Sequence, residues 1–224
     1  MESLLVKDIT YSYRNKYQTV RALGGVSVEF EPGKMYAIVG SSGCGKTTFL
    51  SLLAGLDVPE SGSIEWKGES TAKMDRDRYR RESASVIYQN FNLFQHLTVL
   101  ENAAYPLYMR GMKKNEAEAK AREKLLAVGL KEEQFDRLPN MLSGGEQQRV
   151  AIARALASGS RIILADEPTG NLDSENGRNI VEILKRLAHE ENCCVVIVTH
   201  DQAVADEADV VLKMRDGMLE QLEQ

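Results

Sequence analysis

Cysteine, histidine and tryptophan are all scarce: 3 Cys, 3 His and 1 Trp in 224 residues. Cys44, Cys193 and Cys194 show no metal-ligand spacing and no even set for a disulfide framework, and neighbours in sequence such as Cys193 and Cys194 do not readily bridge. Reduced thiols in a reducing compartment are the expectation. Long apolar runs are also missing. The longest, such as Val195–Val198 and Val210–Leu212, fall far short of the roughly 20 residues that span a bilayer. Met1–Tyr11 alternates apolar and polar residues, unlike a secretory signal. No excess of basic charge exists either. The balance is −5, from 28 Lys and Arg against 33 Asp and Glu, a poor basis for neutralising phosphates along a nucleic acid. Arg76, Arg78, Arg80 and Arg81 do cluster, but Asp75, Asp77 and Glu82 lie among them, as on a solvated face.

What is present suits a packed globule. Hydrophobic residues make up 43% and charged residues 27%, and a chain of this size buries roughly 70% of its unfolded surface without staples. Leu4–Tyr11 and Val26–Phe30 alternate as strands. Glu31-Pro32-Gly33 and Pro59-Glu60-Ser61-Gly62 are expected turns, with Ile64–Trp66 a strand after the second. Met35–Val39, Val86–Tyr88, Arg161–Asp166 and Cys194–Thr199 are short apolar runs, expected as buried strands. Lys46–Leu53 and Ser174–Glu190 have helical spacing. From Leu97 to about Leu138 the composition favours helix, densest between Asn115 and Val128, with Pro106, Gly111 and Gly129 expected to break it. A further helix is expected from Ser143-Gly144-Gly145 to about Ala157. Val210–Lys213 and Met218–Leu222 flank Asp216-Gly217, a hairpin signal. Strands alternating with helices predict an α/β fold with a mostly parallel sheet covered on both faces.

Three stretches bear chemistry. Gly40-Ser41-Ser42-Gly43-Cys44-Gly45-Lys46-Thr47 fits the Walker A pattern of a P-loop and stands between an apolar strand and a helix, as that pattern requires. Glycines let the backbone curl so that successive N–H groups point at phosphate oxygens, and the helix N-terminus adds its dipole. Lys46 is expected on the β and γ phosphates and Thr47 on Mg²⁺. Cys44 reads as a small filler whose backbone matters more than its thiol. Next, Ile162–Ala165 ends in Asp166 and Glu167. Beside the phosphate loop, Asp166 suits Mg²⁺ and Glu167 the water that attacks the γ phosphate, as general base. Finally, Leu142-Ser143-Gly144-Gly145-Glu146 opens a helix. Ser143 with Glu146 makes a capping box, and free N–H groups there also favour an anion. Two anion-binding helix ends with one Walker lysine imply either two ligands or a nucleotide shared between two copies.

Together these stretches, in this order and around a helical insert, resemble the ATP-binding-cassette (ABC) ATPases across nearly the whole chain. The resemblance implies a single domain, 1–224. Residues 1–88 and 158–224 would form the P-loop NTPase core with an N-terminal antiparallel β subdomain, and 89–157 an inserted α-helical subdomain including the signature stretch. Gln89 resembles the glutamine that contacts Mg²⁺ and water, Asn171-Leu172-Asp173 the D-loop, and His200 the histidine that contacts the γ phosphate. Tyr13 resembles the aromatic that stacks on adenine, with Tyr11 and Tyr17 as alternatives. The nucleotide-binding set implied is Tyr13, Gly40 through Thr48, Ser143, Gly144, Gly145 and Asp173. Glu167, His200 and Gln89 are the catalytic set, and Thr47, Gln89 and Asp166 the Mg²⁺ set.

Head-to-tail pairing is further implied, with Ser143, Gly144 and Gly145 closing on ATP held by a second copy. Ala165–Asp173 and Gly55-Leu56-Asp57 resemble the group of lipoprotein-release, macrolide-efflux, antimicrobial-peptide-resistance and cell-division cassettes. A separate transmembrane permease would then hold the chain, cytoplasmic and peripheral, at the inner face of the membrane. Phe91, Leu93, Phe94 and Leu97 are the expected docking region. No nucleic-acid partner is expected. The alternative is a soluble or scaffolding cassette ATPase acting on a non-membrane partner.

Overall fold

The computed structural model describes residues 2–221. Leu222, expected at the end of the last strand, lies outside the described residues. Two sheets organise the chain. The first comprises β1 (Leu4–Arg14), β2 (Thr19–Phe30), β4 (Ser61–Trp66) and β5 (Glu69–Ser70), antiparallel in the order β2-β1-β4-β5. The second holds β3 (Met35–Val39), β6 (Ala84–Tyr88), β7 (Ile162–Asp166), β8 (Cys194–Thr199), β9 (Val210–Arg215) and β10 (Met218–Gln221), in the order β10-β9-β3-β8-β7-β6. It is parallel except for the β9–β10 hairpin. The α/β architecture and the antiparallel N-terminal sheet are those expected.

The parallel strands are largely apolar on both sides because both faces are covered. In β3, Met35 and Ala37 face one core while Tyr36 and Ile38 face the other. In β8, Val195 and Ile197 alternate with Cys194, Val196 and Val198 in the same way. The first core is closed by α3 (Val99–Met109), α4 (Lys114–Ala127), α5 (Gly144–Ala157) and α6 (Ser174–His189). The second lies against the antiparallel sheet and α1 (Lys46–Leu53), whose Phe49, Leu50, Leu52 and Leu53 are buried. Each such side chain is worth about 1.5–3 kcal/mol of burial.

Several local expectations are corrected. Pro106 does not break a helix: it sits inside α3. It costs the helix one backbone bond, to the Asn102 carbonyl. The Thr98–Glu101 capping box and the buried Val99, Ala103 and Leu107 hold both sides of it. Gly111 and Gly129 do end helices, both at positive φ (78° and 82°). In each case the following residue reaches back, Met112 N to Leu107 O and Leu130 N to Leu125 O, as in a Schellman cap. The region 97–138 is therefore α3, α4 and a single 3₁₀ turn, Glu132–Gln134. Gly62 is not in a turn but in β4, at φ 78°, where a Cβ would stand 2.2 Å from the Lys7 carbonyl oxygen. Only glycine permits that bulge.

The arginine cluster forms a short helix, α2 (Arg76–Glu82), capped by Asp75. Its charges pair locally, Arg78 with Glu82 and Arg80 with Asp77, and only Tyr79 is buried. A helix was not expected there, but a solvated face was. The last short helix, α7 (Gln202–Ala205), is capped by Asp201. Among the described residues, no helix is long and apolar enough to cross a membrane.

Candidate functional site: a phosphate cleft at the sheet edge

Parallel strands all finish on one side, so residues far apart in sequence converge there. The registers place Val39 opposite Thr199, Val198 opposite Asp166, and Asp166 opposite Tyr88. The residues that follow these ends are Gly40, His200, Glu167 and Gln89. A cleft of about 780 Å³ opens at this edge. It is lined by Tyr13, the phosphate loop, Thr48, Gln89, Asp166, Glu167 and His200. Ligand sites in open α/β sheets lie at such carboxyl edges.

The loop's glycines have specific reasons. Gly45 has φ 112°, and a Cβ there would meet the Ala22 carbonyl oxygen at 2.6 Å. A Cβ on Gly40 would lie 2.3 Å from the Met214 carbonyl oxygen. Gly45 is also the N-cap of α1 and offers no capping side chain, so the helix's first N–H groups are left for an anion. Lys46 is buried, and its Nζ donates to the Gly40 and Ser41 carbonyls at 2.8 and 2.9 Å. Cys44 alone among Gly40–Thr47 does not line the cleft. Its side chain belongs to the core between the sheets, which leaves only its backbone for the ligand.

Opposite the loop, the Thr47 hydroxyl and Asp166 Oδ1 lie 3.4 Å apart. Burial pushes the Asp166 carboxyl above its ordinary value, reinforced by the neighbouring Glu167 and opposed by the Thr47 bond. Glu167 sits at φ 48°, a strained conformation for a non-glycine residue that is concentrated at functional sites. Its Oε1 is 2.7 Å from His200 Nδ1. That bond raises the His200 imidazole above its usual value. Gln89 lines the cleft and is tied to Asn171, whose Nδ2 donates to the Gln89 carbonyl at 2.9 Å while Gln89 Nε2 donates to Asn171 Oδ1 at 3.3 Å.

Among the described residues, no three His, Cys, Asp or Glu gather as a metal cluster. The donors at hand are hard oxygens, Thr47, Asp166 and Gln89, which suits Mg²⁺ completed by phosphate oxygens and water.

Of the three tyrosines, Tyr13 lines the cleft, with its hydroxyl 3.0 Å from Thr48 Oγ1. Tyr11 is bonded to Asp57, and Tyr17 is 88% exposed with its backbone N–H bonded to Asn15.

Ser143, Gly144, Gly145 and Asp173 are not part of this cleft. Ser143 caps α5 in a reciprocal box with Glu146, its N–H donating to Glu146 Oε2 at 2.7 Å. Asp173 caps α6 through the N–H groups of Glu175 and Asn176. A Cβ on Gly145 would stand 2.5 Å from Asn176 Oδ1, so glycine there lets the two helix starts pack together.

Two residues with no motif signal hold the segment that follows Gln89 and Asn90. Buried Asn102 binds the 94–98 segment through four contacts. Arg154 of α5 donates to the carbonyls of Phe91 and Asn92 at 3.1 and 2.7 Å, and both of these residues have positive φ. In the expected docking region Leu93 is buried, Phe91 and Leu97 are partly buried, and Phe94 is exposed.

The geometry has close relatives. A family profile described as "ABC transporter" matches residues 23–170. The lipoprotein-releasing system ATP-binding protein LolD 1 of Rhodopirellula baltica (strain DSM 10527 / NCIMB 13988 / SH1) is 42% identical over 219 residues, 96% of this chain and 95% of its own. The macrolide export ATP-binding/permease protein MacB of Azoarcus sp. (strain BH72) is 43% identical over 93% of this chain, which spans 32% of MacB. Among solved structures, the dimeric structure of MJ0796, a bacterial ABC transporter cassette, has a TM-score of 0.89 at 38% identity and covers 99% of each chain. A post-hydrolysis state of that cassette bound to ADP and Pi has the same TM-score. The chain belongs to the ABC transporter family, as an ATP-binding cassette that hydrolyses ATP.

Proposed function

We propose that this cassette binds ATP between two head-to-tail copies of itself and drives a separate transmembrane permease, peripheral on the cytoplasmic face of a membrane. The observation that supports the pairing is the division of labour within one chain. Lys46, Asp166, Glu167 and His200 line one cleft, whereas Ser143, Gly144 and Gly145 lie outside it on an N-terminal helix end. A second copy would bring that end onto the γ phosphate.

In this reading the loop amides and Lys46 grip the β and γ phosphates, and Tyr13 supports the adenine. Thr47, Asp166 and Gln89 hold Mg²⁺, which neutralises phosphate charge when bound. Glu167 orients water and takes its proton. His200, bonded to Glu167, fixes that carboxylate and faces the γ phosphate. Asp173 approaches the partner copy from its helix cap. Residues 89–157 respond as a unit to nucleotide through Gln89, and Phe94 with its neighbours meets the permease. The likeness to LolD and MacB, one named for a lipoprotein-releasing system and the other for a permease, supports the membrane partner.

Light scattering behind a sizing column tests the pairing. Glu167→Gln, which stalls turnover, should run as a dimer with ATP and as a monomer with ADP. Adding Ser143→Arg should return the ATP sample to monomer. Persistence of the dimer in the double variant would refute the shared-nucleotide reading.

A further inference from the structure

The strand that carries Tyr13 is strapped to the loop behind α1. Tyr11 OH donates to Asp57 Oδ2. Ser12 Oγ donates to Glu60 Oε2 at 3.1 Å, and Arg14 pairs with Glu60 Oε1 at 3.0 Å. Thr10 and Ser61 share a hydroxyl bond of 2.8 Å, and Glu60 N donates to the Thr10 carbonyl at 2.8 Å. The Tyr11 ring stands edge-on to the Tyr13 ring, with centroids 5.2 Å apart and planes at 83°. This is the favoured geometry for an aromatic pair. At its far end the Tyr13 hydroxyl reaches Thr48 in the first turn of α1. Tyr13 is 53% exposed, so little else fixes the orientation of its ring.

We propose that Tyr11 and Asp57 are positioning residues that pre-set the Tyr13 ring as the platform for the nucleotide base. The proposal rests on the reading of Tyr13 given above. An exposed ring that must be ordered by its ligand costs affinity, and a ring ordered beforehand does not. Asp57 lies one turn beyond α1, the helix that the phosphate loop begins. The Tyr11–Asp57 bond therefore ties the base platform to the element that holds the phosphates. Asp57 pushes the Tyr11 hydroxyl up to about 12, so it stays a donor at any working pH. The contribution is confined to the base: neither residue reaches the phosphate loop.

Titration calorimetry with ATP and with inorganic tripolyphosphate, which has no base, separates this role from general damage. Tyr11→Phe and Asp57→Ala should each weaken ATP by about 3- to 10-fold, part of the worth of one charge-assisted bond. Tripolyphosphate affinity should not move, and kcat at saturating ATP should stay within about twofold of the parent, so that the loss appears in KM. Asp57→Asn keeps an acceptor for Tyr11 and should restore most of the ATP affinity. Equal losses for ATP and tripolyphosphate would overturn the proposal in favour of a structural role. Normal ATP binding by Tyr11→Phe, with Tyr13→Ala weakened, would overturn it while sparing the platform. If Tyr13→Ala itself leaves the ratio of the two affinities unchanged, the platform reading falls, and the positioning role with it.

Discussion

Asn102 makes an unusually dense set of bonds for one side chain. It is fully buried on α3, and its Nδ2 lies 3.0 Å from each of the carbonyls of Phe94, Leu97 and Thr98. Its Oδ1 accepts from Phe94 N at 2.8 Å. Asn102→Ala removes all of these at once. The Thr98 carbonyl keeps its bond from Asn102 N and the Phe94 carbonyl its bond from Leu97 N, but Phe94 N and the Leu97 carbonyl are left without a partner. At about 1 kcal/mol for each of these two groups, the loss is roughly 2 kcal/mol. For a chain of this length, about 2–4 °C accompanies each kcal/mol, so scanning calorimetry should find the midpoint roughly 4–8 °C lower. Asn102→Asp is the sharper test. It keeps the shape but turns a carboxylate toward three carbonyl oxygens. Its folded-state pKa would rise above about 3.9, so the penalty is small below that value and grows as pH increases through the interval. At pH 7 Asp should be worse than Ala, and the gap should narrow toward pH 5. A midpoint within 1 °C of the parent for Asn102→Ala, or equal midpoints for Ala and Asp at pH 7, would refute this account.

Lys46→Ala should weaken ATP by about 100-fold or more, since the buried cation is the loop's fixed positive charge; unchanged calorimetric titration would contradict that. Asp166→Asn should raise the midpoint of the nucleotide-free protein at pH 7 while stopping turnover. The sign follows from a carboxyl held above its ordinary value, whose folded form loses stability as pH rises from the unfolded pKa to the folded one. A lower midpoint would reverse that assignment. Glu167→Gln should bring the His200 pKa down toward about 6.5 in an NMR titration, because the bond to Glu167 is the chief cause of its rise. An unmoved His200 resonance profile would show that the pair does not persist in solution. Gly145→Ala should cost about 1–3 kcal/mol in chemical unfolding, through a Cβ 2.5 Å from Asn176 Oδ1.

The parts of this site that were legible in the sequence are those whose chemistry is local. A phosphate loop needs glycines, a lysine and a strand-to-helix change within a few residues, and Gly40–Thr47 presents them together. Ser143 with Glu146 is equally local, and the capping box is there. What could not be read depends on partners distant in sequence. Tyr11 with Asp57 and Arg154 with Phe91 and Asn92 follow no period that a linear scan would detect; Asn102 is the exception, a buried side chain whose partners lie only four to eight residues away but share no residue pattern that marks them. Pro106 misled because the rule concerns an isolated helix, whereas α3 is held by packing on α4 and α5. The arginine cluster, a solvated face as expected, gave no helix signal: α2 is too short for an apolar stripe and is defined by Asp75 and one buried tyrosine.

The convergence of the site is a third case, neither local nor hidden. Gly40, Gln89, Glu167 and His200 are scattered over most of the chain, yet each follows a short apolar run. Apolar character on both faces marks such runs as strands of a covered parallel sheet. Parallel strands have their carboxyl ends on one side. Once the four runs are read as parallel neighbours, the four residues after them must share an edge, and only their order across the sheet is left to the three-dimensional structure. That order, β3-β8-β7-β6, decides the chemistry: it sets β7, with Asp166 and Glu167, between the strand leading to His200 and the strand leading to Gln89. Exchanging β7 and β6 would leave every motif intact in the sequence and move the carboxylates one strand further from the phosphate loop.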